Sequence, residues 1–219
     1  MTDVRSPWLV AFVLVAAVHL VLDGADATPW DSVTKCLLAP LLAGWVATSG
    51  GPRLLVVALG LCFLGDLFLE IDDLFVVGMA AFAGAHLALI TLFVRRGAVA
   101  GVRARPVVAL AYVGVAIGMV AWCWGGLEPT LKPAIPVYAA LLVGTAATSA
   151  AVDVRAGVGG ALFLVSDGII ALSEAGRIDA DAPATGLAIM ALYLLAIWLL
   201  ATGIVRSTPR RTDCWPQPT

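Results

Sequence analysis

Residues Leu74–Val94 read LFVVGMAAFAGAHLALITLFV, 21 consecutive residues without a formal charge and with one ionisable side chain, His86. At about 1.5 Å of rise per residue, a helix of this length crosses the roughly 30 Å hydrocarbon core of a bilayer. Asp72-Asp73 precedes the run and Arg95-Arg96 follows it, so charge marks both ends. Outward from this stretch the pattern recurs. Residues 6–22, 36–52, 54–69, 106–127, 133–152, 156–173 and 182–205 form apolar runs of 16 to 24 residues between charged positions. In lipid the backbone must satisfy its own hydrogen bonds, which leaves helix as the form of each run. The expected fold is all-α: a polytopic integral membrane protein built as a bundle of eight transmembrane helices in one domain, residues 1–219. The second and third runs are short, and seven crossings is the alternative count.

Composition agrees. Hydrophobic residues make up 61% of the 219-residue chain and charged residues 13%, against about 45–50% and 25% in ordinary soluble domains. Mean hydropathy is +1.00. A soluble domain of this size cannot bury so much apolar surface and still present a wettable exterior. Soluble enzymes, disordered chains and disulfide-stapled secreted folds are excluded. The net charge of −2 offers no basic face for nucleic acid, and the bilayer is the first partner. Cys36, Cys62, Cys123 and Cys214 show no ligand spacing and are expected to be inert. Arg5, the first run and Ala25-Asp26-Ala27 have a signal-peptide outline, but the run is long for a signal core and Asp23 and Asp26 crowd the cleavage site.

The loops suggest an orientation. Arg5, Arg53, Arg95, Arg96, Arg103, Arg105, Arg155, Arg206, Arg210 and Arg211 fall on one side of an eight-crossing chain, leaving Lys35, Lys132 and Arg177 on the other. By the positive-inside rule both termini are cytoplasmic in a cell membrane. Trp8 and Trp45 would then lie near the inner interface, and Trp30, Trp122 and Trp124 near the outer one.

Three ionisable groups stand where lipid penalises them. Asp66 ends the run Leu61-Cys62-Phe63-Leu64-Gly65-Asp66, Asp167 ends Leu162-Phe163-Leu164-Val165-Ser166-Asp167, and His86 sits within Leu74–Val94. A carboxylate at the centre of a span costs at least ~2.5–3.5 kcal/mol on insertion scales, so such groups usually mark function. Glu70 lies one turn from Asp66, and Glu174 seven residues beyond Asp167, each on the same helix face. The two aspartates follow a small residue and lie 101 positions apart, in runs three and seven, which suits two parallel four-helix repeats. Lys35 opens the second run as a phosphate or carboxylate partner, or a snorkelling lysine. Tyr138, Thr145 and Ser149 share a face of the sixth run, where hydroxyls also serve as inter-helix contacts.

Thr34-Lys35, Leu64-Gly65-Asp66, Phe82-Ala83-Gly84-Ala85-His86, Pro136-Val137-Tyr138 and Gly160-Ala161-Leu162-Phe163-Leu164-Val165-Ser166-Asp167 occur in this order. The series resembles the lysoplasmalogenase (YhhN-like) family of integral membrane proteins, from about Lys35 to Tyr193. Two positions depart from the family's habit: Cys36 follows Lys35 where Pro is frequent, and Tyr193 lacks the Gln three residues on. The resemblance implies hydrolysis of the vinyl ether bond of a lysophospholipid, an alkenyl glycerophospholipid, to a fatty aldehyde and a glycerophospho-alcohol, without a cofactor.

That chemistry suits the residues. Protonation of a vinyl ether carbon gives an oxocarbenium ion, to which water adds. Two carboxylates serve a similar transition state in glycosidases, and a carboxyl in an apolar setting beside a second one keeps its proton. The expected catalytic residues are Asp66, Asp167 and His86, with either aspartate as the acid. Lys35, Tyr138, Glu70 and Ser166 are expected at the substrate, in a site opening to the extracytoplasmic side. A metal on Asp66, His86 and Asp167 is the less favoured arrangement. A proton-coupled transporter using the same Asp/His cluster is the competing function.

Overall fold

A computed structural model describes residues 6–71 and 73–208. Arg5, Asp72, Arg210, Arg211 and Cys214, named above, lie outside them. The described residues are helical throughout, with no strand: α1 (Pro7–Gly24), α2 (Trp30–Thr48), α3 (Arg53–Leu69), α4 (Phe75–Arg95), α5 (Ala98–Ala104), α6 (Pro106–Cys123), α7 (Ala134–Val152), α8 (Val154–Glu174) and α9 (Pro183–Arg206). Six of them, α1, α4, α6, α7, α8 and α9, are long and apolar enough to cross a bilayer. Of the other two long helices, α2 carries Asp31 and Lys35 and α3 has 17 residues. This is a multi-pass helical membrane architecture.

The helix boundaries follow local chemistry. Proline opens α1, α6 and α9, where its missing N–H removes no intrahelical bond. Asp153 alone separates α7 from α8; it is extended, and its carboxylate accepts the Ala156 N–H at 2.9 Å as an N-cap. Two boundaries differ from the sequence reading. Helix α2 begins at Trp30, six residues before the expected start, which places Lys35 inside the helix. The loop expected after Arg96 contains α5, only seven residues long and set off by Gly97 at φ 86° and by Pro106. A helix that short has too few turns to show a period.

Packing closes a ring. Helices α1, α2, α3, α4, α7, α8 and α9 each touch the next, and α9 returns to α1 and α2. Helix α6 stands outside, against α7 and more lightly α8 and α5. Its Val107, Leu110 and Ile117 are 74%, 66% and 64% exposed, a lipid-facing surface. Trp45 does not join the interfacial tryptophans: it is 1% exposed, within the core of the ring, whereas Trp8, Trp30, Trp122 and Trp124 are exposed. Its place on the inward face of α2, with Leu38, Leu42 and Val46, decides this, not its depth.

Close approach depends on glycine. A Cβ on Gly160 of α8 would lie 3.0 Å from Ala146 Cα of α7, so backbone meets backbone there. At one end of the bundle Arg96 donates to Ile204 O at 3.0 Å and to Ser207 Oγ at 2.9 Å, tying the end of α4 to the end of α9. Arg96, Arg206 and the Asp153 link thus gather at one end, and Lys35, Glu70 and Arg177 belong to the other.

Candidate active site

The ring encloses two aspartate–tyrosine pairs. Asp66, 2% exposed on α3, accepts a 2.8 Å hydrogen bond from Tyr193 Oη of α9. Asp167, half-buried on α8, accepts one from Tyr138 Oη of α7. Between the pairs lies an aromatic cluster joined edge to face. Phe163 sits 5.5 Å from Tyr193 and 4.7 Å from His86, and His86 sits 5.6 Å from Tyr138. Phe82 closes the cluster 5.9 Å from Tyr193. Such contacts add about 0.5–1.5 kcal/mol each beyond burial and hold the two phenols at fixed positions. Gly65 permits this: a Cβ there would lie 2.5 Å from the Phe82 ring, so the residue before Asp66 must be small.

His86 is fully buried, and its Nδ1 pairs with Thr145 Oγ1 at 3.1 Å, while Nε2 has no partner. The imidazole meets Tyr138 through its ring edge, and no hydrogen bond joins it to either carboxylate among the described residues. Nor do three His, Cys, Asp or Glu side chains among those residues come together as a metal-ligand group. Ser166 is buried, and its hydroxyl donates to Ile189 O at 3.0 Å, a tie from α8 to α9 rather than a group turned to substrate. Thr145 is 1% and Ser149 0% exposed, so the hydroxyl face of α7 is an inward face.

Two cavities adjoin this core. An apolar groove is lined by Phe75, Met79, Phe82, Met119, Tyr138 and Leu164, with Asp167 as one of two carboxylates in its wall, Glu174 being the other. A polar cavity is lined by His19, Asp23, Asp31, Ser32, Lys35 and Glu70. Ile170 of α8 lines both, so the two back onto each other. Lys35 Nζ meets Glu70 Oε1 at 2.6 Å, Ser32 Oγ donates to the other oxygen of Glu70, and Asp66 lies within charge–charge range of Lys35 and Asp167.

Glu70, just past the end of α3, is engaged through both carboxylate oxygens. Burial alone would raise its pKa, but the Lys35 ammonium, through charge and hydrogen bond, and the Ser32 hydroxyl outweigh burial and hold it below its ordinary 4.5. A carboxylate with a depressed folded-state pKa contributes stability that is present above the unfolded value and lost as pH falls through the folded one. Thermal denaturation from pH 7 to pH 3 should therefore show an acid limb below roughly pH 4.5 that Glu70→Gln flattens. At neutral pH that variant should cost less than about 1 kcal/mol, because the pair is partly exposed. An unchanged acid limb in the variant would show that the ion pair is absent in solution.

Sequence reasoning named Asp66, Asp167, His86, Lys35 and Tyr138 but not the hydrogen-bond partner of Asp66. The signal was Tyr193 itself, a phenol inside the apolar run 182–205 whose O–H needs an acceptor. His19, Asp23 and Asp31 were not singled out as a group, because they belong to α1 and to the start of α2, and meet only where those helices pack.

Paired carboxylates and phenols thus stand inside a multi-pass helical ring, beside one apolar and one polar cavity. The chain belongs to the YhhN family, whose model matches residues 30–204. It is 32% identical over 213 residues to lysoplasmalogenase TMEM86B of Homo sapiens, an alignment covering 94% of this chain and 90% of that one. No solved structure matches the chain.

Proposed function

We propose that this protein hydrolyses the vinyl ether bond of a lysoplasmalogen-type lipid, with Asp167 as the proton donor. The observation that carries the reading is Asp167 in the wall of an apolar groove that backs, across Ile170, onto a cavity holding Lys35. An alkenyl chain fills the groove while the phosphate turns toward Lys35. The relative's name supports the choice of substrate.

Asp167, steadied by Tyr138, gives its carboxyl proton to the outer alkene carbon, and the ether carbon becomes an oxocarbenium ion. Asp66 offsets that positive charge from within the core. Water adds to the cation and returns its proton to the Asp167 carboxylate. The hemiacetal transfers its hydroxyl proton to the ether oxygen as that C–O bond breaks, releasing a fatty aldehyde and the glycerophospho-alcohol. His86 and Phe163 position Tyr138 and Tyr193. The eight long helices are eight crossings in one domain, with the ends of α4 and α9 on the cytoplasmic side of the cell membrane. Asp66 and Asp167 occupy the third helix of each four-helix half, counting without α5.

The purified protein in detergent should release aldehyde from a 1-alkenyl lysophospholipid and leave the 1-acyl analogue intact. Intact alkenyl lipid after incubation with folded, monodisperse protein would overturn the proposal. Uptake of unmodified lipid into sealed vesicles would assign the site to transport.

A further inference from the structure

The polar cavity holds more hydrogen-bond acceptors than its own residues satisfy. His19 is 1% exposed, and its Nδ1 lies 3.2 Å from Asp31 O and 3.1 Å from Thr34 Oγ1. A carbonyl oxygen only accepts, and the single proton of the Thr34 hydroxyl is taken by Trp30 O or Asp31 O, each at 2.8 Å. Nδ1 therefore carries the proton, which leaves Nε2 of the neutral ring as an acceptor. That Nε2 is buried and unpartnered, as are Asp23 Oδ2 and Asp31 Oδ1, and all three residues line the cavity. Lys35, the cavity's one cation among the described residues, is engaged by Glu70. Two carboxylates and an imidazole nitrogen remain for an incoming donor.

We infer that this cavity is a headgroup subsite for a primary ammonium, so that the substrate is an ethanolamine rather than a choline lysophospholipid. A primary ammonium has three N–H donors for three acceptors. A trimethylammonium has none, and its usual partners are aromatic faces. The cavity's other residues are Ser32, Ile170, Gly186, Ile189 and Met190, none of them aromatic. Lys35 in the same wall takes the phosphate, which in ethanolamine lipids stands two carbons from the ammonium.

The inference rests on the lysophospholipid reading above, and its test has two arms. In the first, purified protein is given 1-alkenyl lysophospholipids with ethanolamine, N-methylethanolamine, N,N-dimethylethanolamine or choline headgroups. kcat/KM should fall with each methyl group, by about 10- to 100-fold overall, and Asp23→Asn and His19→Gln should abolish the preference by lowering ethanolamine-lipid turnover toward that of the choline lipid. Equal turnover across the series, or a preference kept by both variants, would overturn the subsite. In the second arm, glycerophosphoethanolamine should raise the melting temperature of the parent but not of Asp23→Asn, and glycerophosphocholine should raise neither. Stabilisation without turnover would keep the subsite and sink the hydrolase reading. Asn keeps the shape of Asp23 and still accepts through its amide oxygen, so Asp23→Asn remains informative where His19→Gln fails to fold.

Discussion

Asp167→Asn should release aldehyde about 10²- to 10⁴-fold more slowly than the parent protein, the range a positioned general acid contributes. The amide has the same shape and still accepts the Tyr138 hydrogen bond through its oxygen, but it has no carboxyl proton to deliver. The loss should fall on kcat, with KM within a few fold, because the groove of Phe75, Met79, Phe82, Met119 and Leu164 is untouched. Tyr138→Phe should show a smaller fall of the same kind, since it removes the group that steadies the acid and not the acid itself. Retained turnover in Asp167→Asn, measured as aldehyde by coupled reduction, would remove Asp167 from the reaction.

The second large effect is expected at Asp66. Its carboxyl lines neither cavity, and the Tyr193 hydroxyl holds it at 2.8 Å on the far side of the aromatic cluster. In the proposed reaction its part is electrostatic, a negative charge acting across the aromatic cluster on a cation that develops beside Asp167, in a setting with little water to screen it. Removal of one such group typically costs 10²–10³ in kcat. Asp66→Asn should therefore lower kcat by about 100-fold while leaving the melting temperature near that of the parent, because Asn still accepts from Tyr193. Tyr193→Phe separates the two roles, since it keeps the charge and removes the bond. A stability loss with full kcat in Asp66→Asn would make this aspartate a packing residue.

The helices were legible because lipid leaves one solution for an apolar run, and the observed ranges fall within a few residues of the expected ones except at the start of α2. That start was hidden by Asp31 and Lys35, charges that normally end a span; here they face a polar cavity at the end of the ring, so the helix continues past them. The carboxylates and the imidazole within apolar runs stood out by the cost such groups would carry in lipid. What they touch was not legible. Asp66 and Tyr193 are separated by 127 residues and His86 and Thr145 by 59, and no local pattern encodes which faces of α3, α4, α7 and α9 meet. Trp45 shows the same limit. A tryptophan near the end of a run reads as interfacial, and only the direction of its helix face decides between lipid and core.

The closure of the ring by α9 has a consequence for biosynthesis. Asp66 is made with the third helix, but the phenol that holds it arrives with the last, and the contacts of α9 with α1 and α2 form at the same step. During synthesis the growing chain therefore carries Asp66 without its partner until the last helix arrives, and no intermediate lacking α9 has the site that the proposed function requires. A chain stopped in the loop before Pro183 would insert most of its helices and yet have no activity to lose, so a quality-control system that senses unpartnered intramembrane acids would see such a product as unfinished.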